Sequence, residues 1–331
     1  MKALVQRTYG PLQNLRVADV EPPRPGPGDV LIRVRAAGVD PGIWHMMTGR
    51  PLMVRLMGVG FSAPKVPVAG WDASGIVESV GPQVTRFRPG DEVFGNCGAR
   101  GTGSFAERAC IPEDRCAPRP ANLPLEDAAA LAVSGCTALQ AVRDVGHVAG
   151  GSSVLVLGAG GGVGHLAVQI AKSLGATVTA VCGTSKVDLV RSLGADDVVD
   201  YTRSAIEAAG RTWDVVVDTA GRRPLSEVRR LLSPKGVLAI VGGEGGNPIT
   251  GGFLERMAGA GFLSLLSARK LAFVDAKVTA ADLLVLKGLV EAGKLRPHVE
   301  RRWRFDQAVE ALLDLEKGHA RGKSVVVVEA T

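Results

Sequence analysis

The stretch Val154-Leu155-Val156-Leu157-Gly158-Ala159-Gly160-Gly161-Gly162-Val163-Gly164 decides how this chain is read. Four apolar residues run unbroken, the pattern of a strand in a parallel sheet covered on both faces. Five glycines then fall within seven residues, and the apolar run His165-Leu166-Ala167-Val168-Gln169-Ile170-Ala171-Lys172 follows. The order is strand, tight turn, helix. Without Cβ atoms such a turn lets the main chain approach a pyrophosphate closely. The free N–H groups at the helix start then point at the negative charge. A glycine turn alone is also an ordinary strand-to-helix connection, so the neighbouring segments carry the argument.

Downstream, short apolar strands recur: Thr177-Val178-Thr179-Ala180-Val181-Cys182, Asp197-Val198-Val199-Asp200, Trp213-Asp214-Val215-Val216-Val217-Asp218 and Gly236-Val237-Leu238-Ala239-Ile240-Val241. Helical segments at 164–174, 186–193 and 224–232 lie between most of them. That alternation predicts a doubly wound parallel sheet of the Rossmann kind. Upstream the character differs. Lys2-Ala3-Leu4-Val5, the half-alternating Val30-Leu31-Ile32-Arg33-Val34-Arg35-Ala36-Ala37, Gly75-Ile76-Val77-Glu78-Ser79-Val80-Gly81 and Asp91-Glu92-Val93-Phe94-Gly95 read as strands. Breakers such as Pro22-Pro23-Arg24-Pro25-Gly26-Pro27-Gly28 and Arg88-Pro89-Gly90 separate them, which predicts a small barrel or curved sheets. Helical residues begin near Pro124. From Thr279 a capped helix, a strand at 299–303, a helix at 306–317 and a strand at 324–328 close the chain. That tail is too small to stand alone and is expected to complete the first domain. The boundaries are therefore 1–122, 123–275 and 276–331.

Composition agrees with two domains. The 331 residues are 46% hydrophobic but only 4% aromatic, and 43 are glycine, which suits tightly packed α/β structure. The net charge of +6 is dispersed in pairs such as Arg229-Arg230, with no basic run or interleaved aromatics, so no nucleic-acid partner is expected. No apolar stretch reads as a membrane span, because 145–171 is broken by glycine and serine. Five cysteines without C-x-x-C spacing argue against a disulfide framework and for a reducing, cytoplasmic setting.

The order of these parts resembles the medium-chain dehydrogenase/reductase superfamily over essentially the whole chain. The stretches that carry it are Arg88-Pro89-Gly90-Asp91-Glu92-Val93-Phe94-Gly95, Gly161-Gly162-Val163-Gly164, Ser192-Leu193-Gly194-Ala195-Asp196, Val217-Asp218-Thr219-Ala220-Gly221, Glu291-Ala292-Gly293-Lys294 and Gly318-His319-Ala320-Arg321-Gly322-Lys323. Within it the chain looks like the zinc-independent quinone oxidoreductase branch. The resemblance implies a GroES-like catalytic domain beside the Rossmann domain, and a homodimer formed through the last Rossmann strand, near residues 271–274. Where zinc-dependent members place a ligating Cys, this chain has Asp40. Where they place the His of Gly-His-Glu, it has Trp71, in Gly70-Trp71-Asp72. An indole cannot ligate zinc, so no metal is expected.

The residues then address the coenzyme. NAD-preferring Rossmann domains end the second strand with an acid that accepts from the ribose hydroxyl. Here the position reads Cys182-Gly183-Thr184-Ser185-Lys186, two hydroxyls and an ammonium, which suit a 2′-phosphate. Tyr201 follows at the end of the third strand, and NADPH-binding members of the family pair a Lys and a Tyr at this spacing. NADPH is therefore expected on Gly160, Gly161, Gly162, Val163, Gly164, Thr184, Ser185, Lys186 and Tyr201. Thr219, Gly242 and Gly243 lie at later strand ends along its path. By family position Ser134 and Thr137 lie beside the nicotinamide.

The reaction expected is hydride transfer to a quinone or an α,β-unsaturated carbonyl compound. Asp40, Trp44, His45 and Asp72 are the candidates for handling its proton, with water as another donor. Two apolar segments, 46–57 and 253–266, are expected either to shape a pocket for a bulky apolar substrate or to serve as core or dimer packing. The competing readings are an alcohol dehydrogenase and a non-catalytic NADPH-binding protein.

Overall fold

The computed structural model of the protein describes residues 1–98, 102–243, 249–265 and 268–328. In chain order its strands are β1 (Lys2–Val5), β2 (Arg16–Asp19), β3 (Asp29–Gly38), β4 (Asp72–Val80), β5 (Glu92–Asn96), β6 (Arg108–Pro112), β7 (Cys116–Pro118), β8 (Ser153–Leu157), β9 (Thr177–Cys182), β10 (Asp197–Asp200), β11 (Trp213–Asp218), β12 (Leu232–Ile240), β13 (Lys270–Phe273), β14 (Val299–Arg304) and β15 (Lys323–Val327). Two compact units result. The first comprises Met1–Cys136, Val278–Ala292 and Val299–Thr331, and the second Thr137–Lys277 and Gly293–His298.

The second unit is built on a six-stranded parallel sheet in the order β10-β9-β8-β11-β12-β13. Chain order reverses at β8 and β11, as in a doubly wound Rossmann sheet. Residues Val154, Leu155 and Val156 are fully buried, as an unbroken apolar strand in a covered sheet must be. Trp213 opens β11 and is 1% exposed, its indole N–H donating to the Thr179 hydroxyl at 3.1 Å. Leu155, Val216, Leu238 and Leu271 pack with it into one core.

The first unit is rich in antiparallel strands, with a seven-stranded sheet running β14-β15-β3-β4-β5-β7 and β6 paired to β3. The tail does rejoin this unit. β15 pairs antiparallel with β3, and β14 lies parallel to β15. Thr279 caps the helix Ala280–Glu291 by accepting from the Asp282 N–H at 3.2 Å.

The boundaries differ from the expected ones at three places, the smallest being 276–277, which lie in the second unit rather than in the tail. Residues 123–136 lie in the first unit rather than in the Rossmann domain. There the short helix Leu125–Ala128 packs on β3, β4 and β5, and the Arg302 guanidinium from β14 grips Asp127 at 2.6 Å. Residues 293–298 lie in the second unit rather than in the returning tail. The Gln169 side chain treats them as a strand would, donating to the Arg296 carbonyl at 3.0 Å and accepting from its N–H at 2.9 Å. The strands β2, β6 and β7 and the helix Phe253–Leu265 were not read from the sequence.

One ion pair is sealed inside the second unit. Asp218, 1% exposed at the end of β11, takes the Arg256 guanidinium at 2.6 Å and the Gly221 N–H at 2.9 Å. Burial pushes the Asp218 carboxyl upward, opposed by the Gly221 bond and Arg256. Breaking a buried pair from one side leaves an uncompensated charge. Arg256→Ala should therefore cost about 3 kcal/mol of stability, read as a lowered urea midpoint, and should cost less at acid pH, where Asp218 takes up a proton.

Candidate active site and coenzyme cradle

The glycine turn follows β8 as its pattern predicts. Gly158 has a positive φ of 79°, and a Cβ on Gly164 would lie 2.2 Å from the Gly158 carbonyl oxygen. The helix Gly164–Ser173 can begin that close only because residue 164 has no side chain. The Thr219 hydroxyl clamps the turn from β11, donating to the Leu157 carbonyl at 2.7 Å. Gly161 donates to Gly158 within the turn, whereas the N–H groups of Gly160, Gly162 and Val163 have no partner within the chain among the described residues. Unpaired amides at a helix start make an anion-binding cradle.

Sequence reasoning missed one part of this cradle. His165 is fully buried, with Nδ1 2.9 Å from the Gly161 carbonyl and Nε2 accepting from the His298 N–H at 3.1 Å. Those partners assign the proton to Nδ1. The only sequence signal is a polar residue on an otherwise apolar helix face.

The residues expected at a 2′-phosphate all lie within the second unit. The Lys186 stem lies across the turn, its Cδ 2.6 Å from where a Gly160 Cβ would stand. The Tyr201 phenol oxygen lies 3.3 Å from the corresponding position on Gly183, and the residue is 62% exposed. Thr184 departs from expectation. Its hydroxyl donates to Asp200 at 2.6 Å and pairs with the Thr202 hydroxyl at 2.8 Å. The second strand does end without an acid, yet the third strand brings Asp200 beside it. The Thr184 and Thr202 bonds hold that carboxyl below its usual range. Gly242 sits where a Cβ would meet the Thr219 carbonyl at 2.6 Å, and Gly243 lies against the Arg256 side chain.

The first unit gathers Asp40, Asp72 and Ser134 and adds Lys323. Asp40 is 5% exposed, Asp72 fully buried and Lys323 3% exposed. The Lys323 ammonium binds Asp40 Oδ1 and donates to the Val39 carbonyl at 3.0 Å. The Ser134 hydroxyl reaches the same Asp40 oxygen at 3.2 Å. Asp72 accepts from the Asn96 amide at 2.8 Å and from the Val133 N–H at 2.7 Å. Burial first, then the Asp40 charge, pushes the Asp72 carboxyl up to about 7; Lys323 and the two donors oppose this.

Trp44 and His45 are placed differently.

 Trp44 donates its indole N–H to Glu316 at 3.0 Å, and His45 Nδ1 lies 2.7 Å from the Arg50 carbonyl in its own helix-end turn. Neither of these polar contacts is to Asp40 or Asp72. Thr137, 8% exposed, falls in the second unit. Of the two apolar segments, Met46 and Met47 are core residues of the first unit, the packing alternative of the two expected. Leu56 and Phe262 are 76% and 63% exposed. The side chains of Met57, Phe253, Leu254 and Leu265, and all of Leu266, lie outside the described residues. Among the described residues no group of three His, Cys, Asp or Glu side chains is arranged to hold a metal, and no helix is long and apolar enough to cross a membrane.

Dinucleotide cradle and β-rich unit together define a nicotinamide-dependent oxidoreductase, and the comparisons agree. Residues 26–121 match the family model described as an alcohol dehydrogenase GroES-like domain, and 193–326 the one described as a zinc-binding dehydrogenase. A chloroplastic quinone oxidoreductase of Triphysaria versicolor is 30% identical, covering 98% of both chains. A 2-methylene-furan-3-one reductase of Solanum lycopersicum is 32% identical, over 98% of this chain and 79% of its own. The solved quinone oxidoreductase of Coxiella burnetii superposes with a TM-score of 0.84 at 28% identity, over 99% of each chain. The chain belongs to the medium-chain dehydrogenase/reductase superfamily, in its quinone oxidoreductase-like branch.

The Asp72 carboxyl yields a signed prediction. Its folded-state value lies above the unfolded value of about 4, so its proton-linked stability is full below about pH 4 and is lost as pH rises towards 7. Asp72→Asn should then be more damaging, relative to wild type, at pH 5 than at pH 8. Urea denaturation of both proteins at both values reads the difference, and an equal penalty would contradict the shift.

Proposed function

We propose that this chain reduces quinones or α,β-unsaturated carbonyl compounds by hydride transfer from NADPH, without a metal. The observation that carries the coenzyme choice is the Lys186 side chain laid across the glycine turn, with the Tyr201 phenol over Gly183 beside it. An ammonium and a phenol at that place suit a phosphate dianion. Both oxygens of Asp200 are engaged by threonine donors, which turns its charge toward the protein. Bound in the cradle, the reduced nicotinamide supplies the hydride; the chain binds it, orients it and handles the accompanying proton. The substrate class rests on the relatives, one a quinone oxidoreductase and another a reductase of an enone.

Zinc does not suit the residues present. The family descriptions imply it, but the Trp71 indole offers no lone pair, and its Nε1 is buried without an acceptor. Asp40 is already bound by an ammonium. No step of the proposed reaction is routed through a metal.

The deciding experiment follows NADPH oxidation in chelator with a panel of quinones, enones, aldehydes and alcohols. Quinone or enone turnover is expected. Turnover of alcohols alone with added metal, or tight NADPH binding with no turnover, would overturn the reading. The coenzyme choice has its own test. Lys186→Ala should raise KM for NADPH about ten- to a hundredfold, the worth of a charge-assisted hydrogen bond, and leave KM for NADH nearly unchanged. The reading also includes a homodimer joined along β13, whose outer edge has no partner strand among the described residues.

A further inference from the structure

The first unit contains a buried cation that forms part of its own chain. Lys323 is the first residue of β15, and its ammonium meets only oxygens in its recorded bonds, the Val39 carbonyl and Asp40 Oδ1. Ser134 adds a hydroxyl to the same carboxylate oxygen. Asp40 Oδ2 is buried and has no hydrogen-bond partner. Asp72 supplies a second interior carboxyl group, one that the Asp40 charge acts on through space. Two carboxylates packed out of water require a positive charge nearby, because an isolated buried anion is costly. In a metal-dependent site a divalent ion meets that need. Here a side chain does.

We propose that Lys323 is a built-in cation that takes the electrostatic place of a metal: it neutralises Asp40, keeps that carboxylate oriented, and closes the site to divalent ions. The inference deepens the metal-free reading above and rests on it. A divalent ion approaching Asp40 would meet a fixed like charge already bound to its oxygen, and it would have to displace the ammonium from the Val39 carbonyl. Lys323 is thus a positioning residue. It acts through Asp40 and Ser134, with no contact to the reacting atoms required.

The identity of the ion that would replace it also follows. Without the ammonium, the position is bordered by the Val39 carbonyl and the Asp40 carboxylate, both oxygen, and the Ser134 hydroxyl bonds that same carboxylate oxygen. Oxygen sets favour hard ions such as Mn²⁺ over zinc, which prefers imidazole and thiolate partners. The unpartnered Asp40 Oδ2 would become a ligand atom.

The test measures metal uptake and uses no turnover assay, so it remains informative if the substrate reading fails. Full-length wild type, Lys323→Met, Lys323→Arg and the double variant Asp40→Asn/Lys323→Met are equilibrated with MnCl2. Bound metal is counted by electron paramagnetic resonance, and unfolding temperature is followed in the same samples. Wild type and Lys323→Arg should bind no Mn²⁺ stoichiometrically and show no thermal shift. Lys323→Met should bind one ion per chain and unfold several degrees higher with Mn²⁺ than without it. The double variant should lose both effects. Lys323→Met that ignores Mn²⁺ would overturn the proposal, as would wild type taking up Mn²⁺ or zinc on Asp40. Where Lys323→Met does not fold without metal, recovery on refolding with Mn²⁺ is the supporting result and failure to recover the opposing one.

Discussion

The second unit depends on one close approach, that of the Gly164 α-carbon to the Gly158 carbonyl. No side chain fits there, since a Cβ would lie 2.2 Å from that oxygen. With the gap closed, the helix start follows directly on the end of β8, and the amides of Gly160, Gly162 and Val163 are left without a partner among the described residues. The clamp from Thr219 and the His165 bond to Gly161 hold the turn in that state. Rigidity here serves binding, because a preformed set of donors need not be ordered when an anion arrives. Gly158, with its positive φ, begins the same turn.

The first unit solves a different problem. Its interior holds Asp40 and Asp72, and it balances them from opposite directions along the chain. Lys323 neutralises one carboxylate with a charge, while Asn96 and Val133 supply neutral donors to the other. The arrangement leaves Asp72 titrating near neutrality while its neighbour is held by an ammonium. Two like groups in one pocket thereby acquire different environments, the condition under which one can stay ionised while the other exchanges a proton.

Much of the fold was legible in the sequence for a simple reason. Parallel strands buried on both faces are largely apolar runs, as β8, β9 and β11 are, while the edge strand β10 shows only the pair Val198-Val199 between two aspartates. The glycine turn, Lys186 and Tyr201 lie close enough along the chain for spacing to relate them. Other features were hidden. The helix Phe253–Leu265 is interrupted by Gly259 and Gly261, so its period did not stand out. Asp200 ends the third strand rather than the second, and only the pairing of β10 with β9 brings it to Thr184. Lys323 carries no local signal of its role. Its partners, Val39 and Asp40, are 284 and 283 positions away, and a lysine opening a strand ordinarily reads as a solvated one.

Both units are discontinuous in the chain, and this shapes how the molecule can come into being. The Gln169 amide waits for Arg296, and β3 waits for β15, which begins only at Lys323. During synthesis the first sheet stays open at β3 until β15 has left the ribosome, whereas the core around Trp213 and Leu271 has all its residues by position 271. The glycine turn, complete by residue 164, lacks the His298 amide that anchors its helix until another 134 residues have been added.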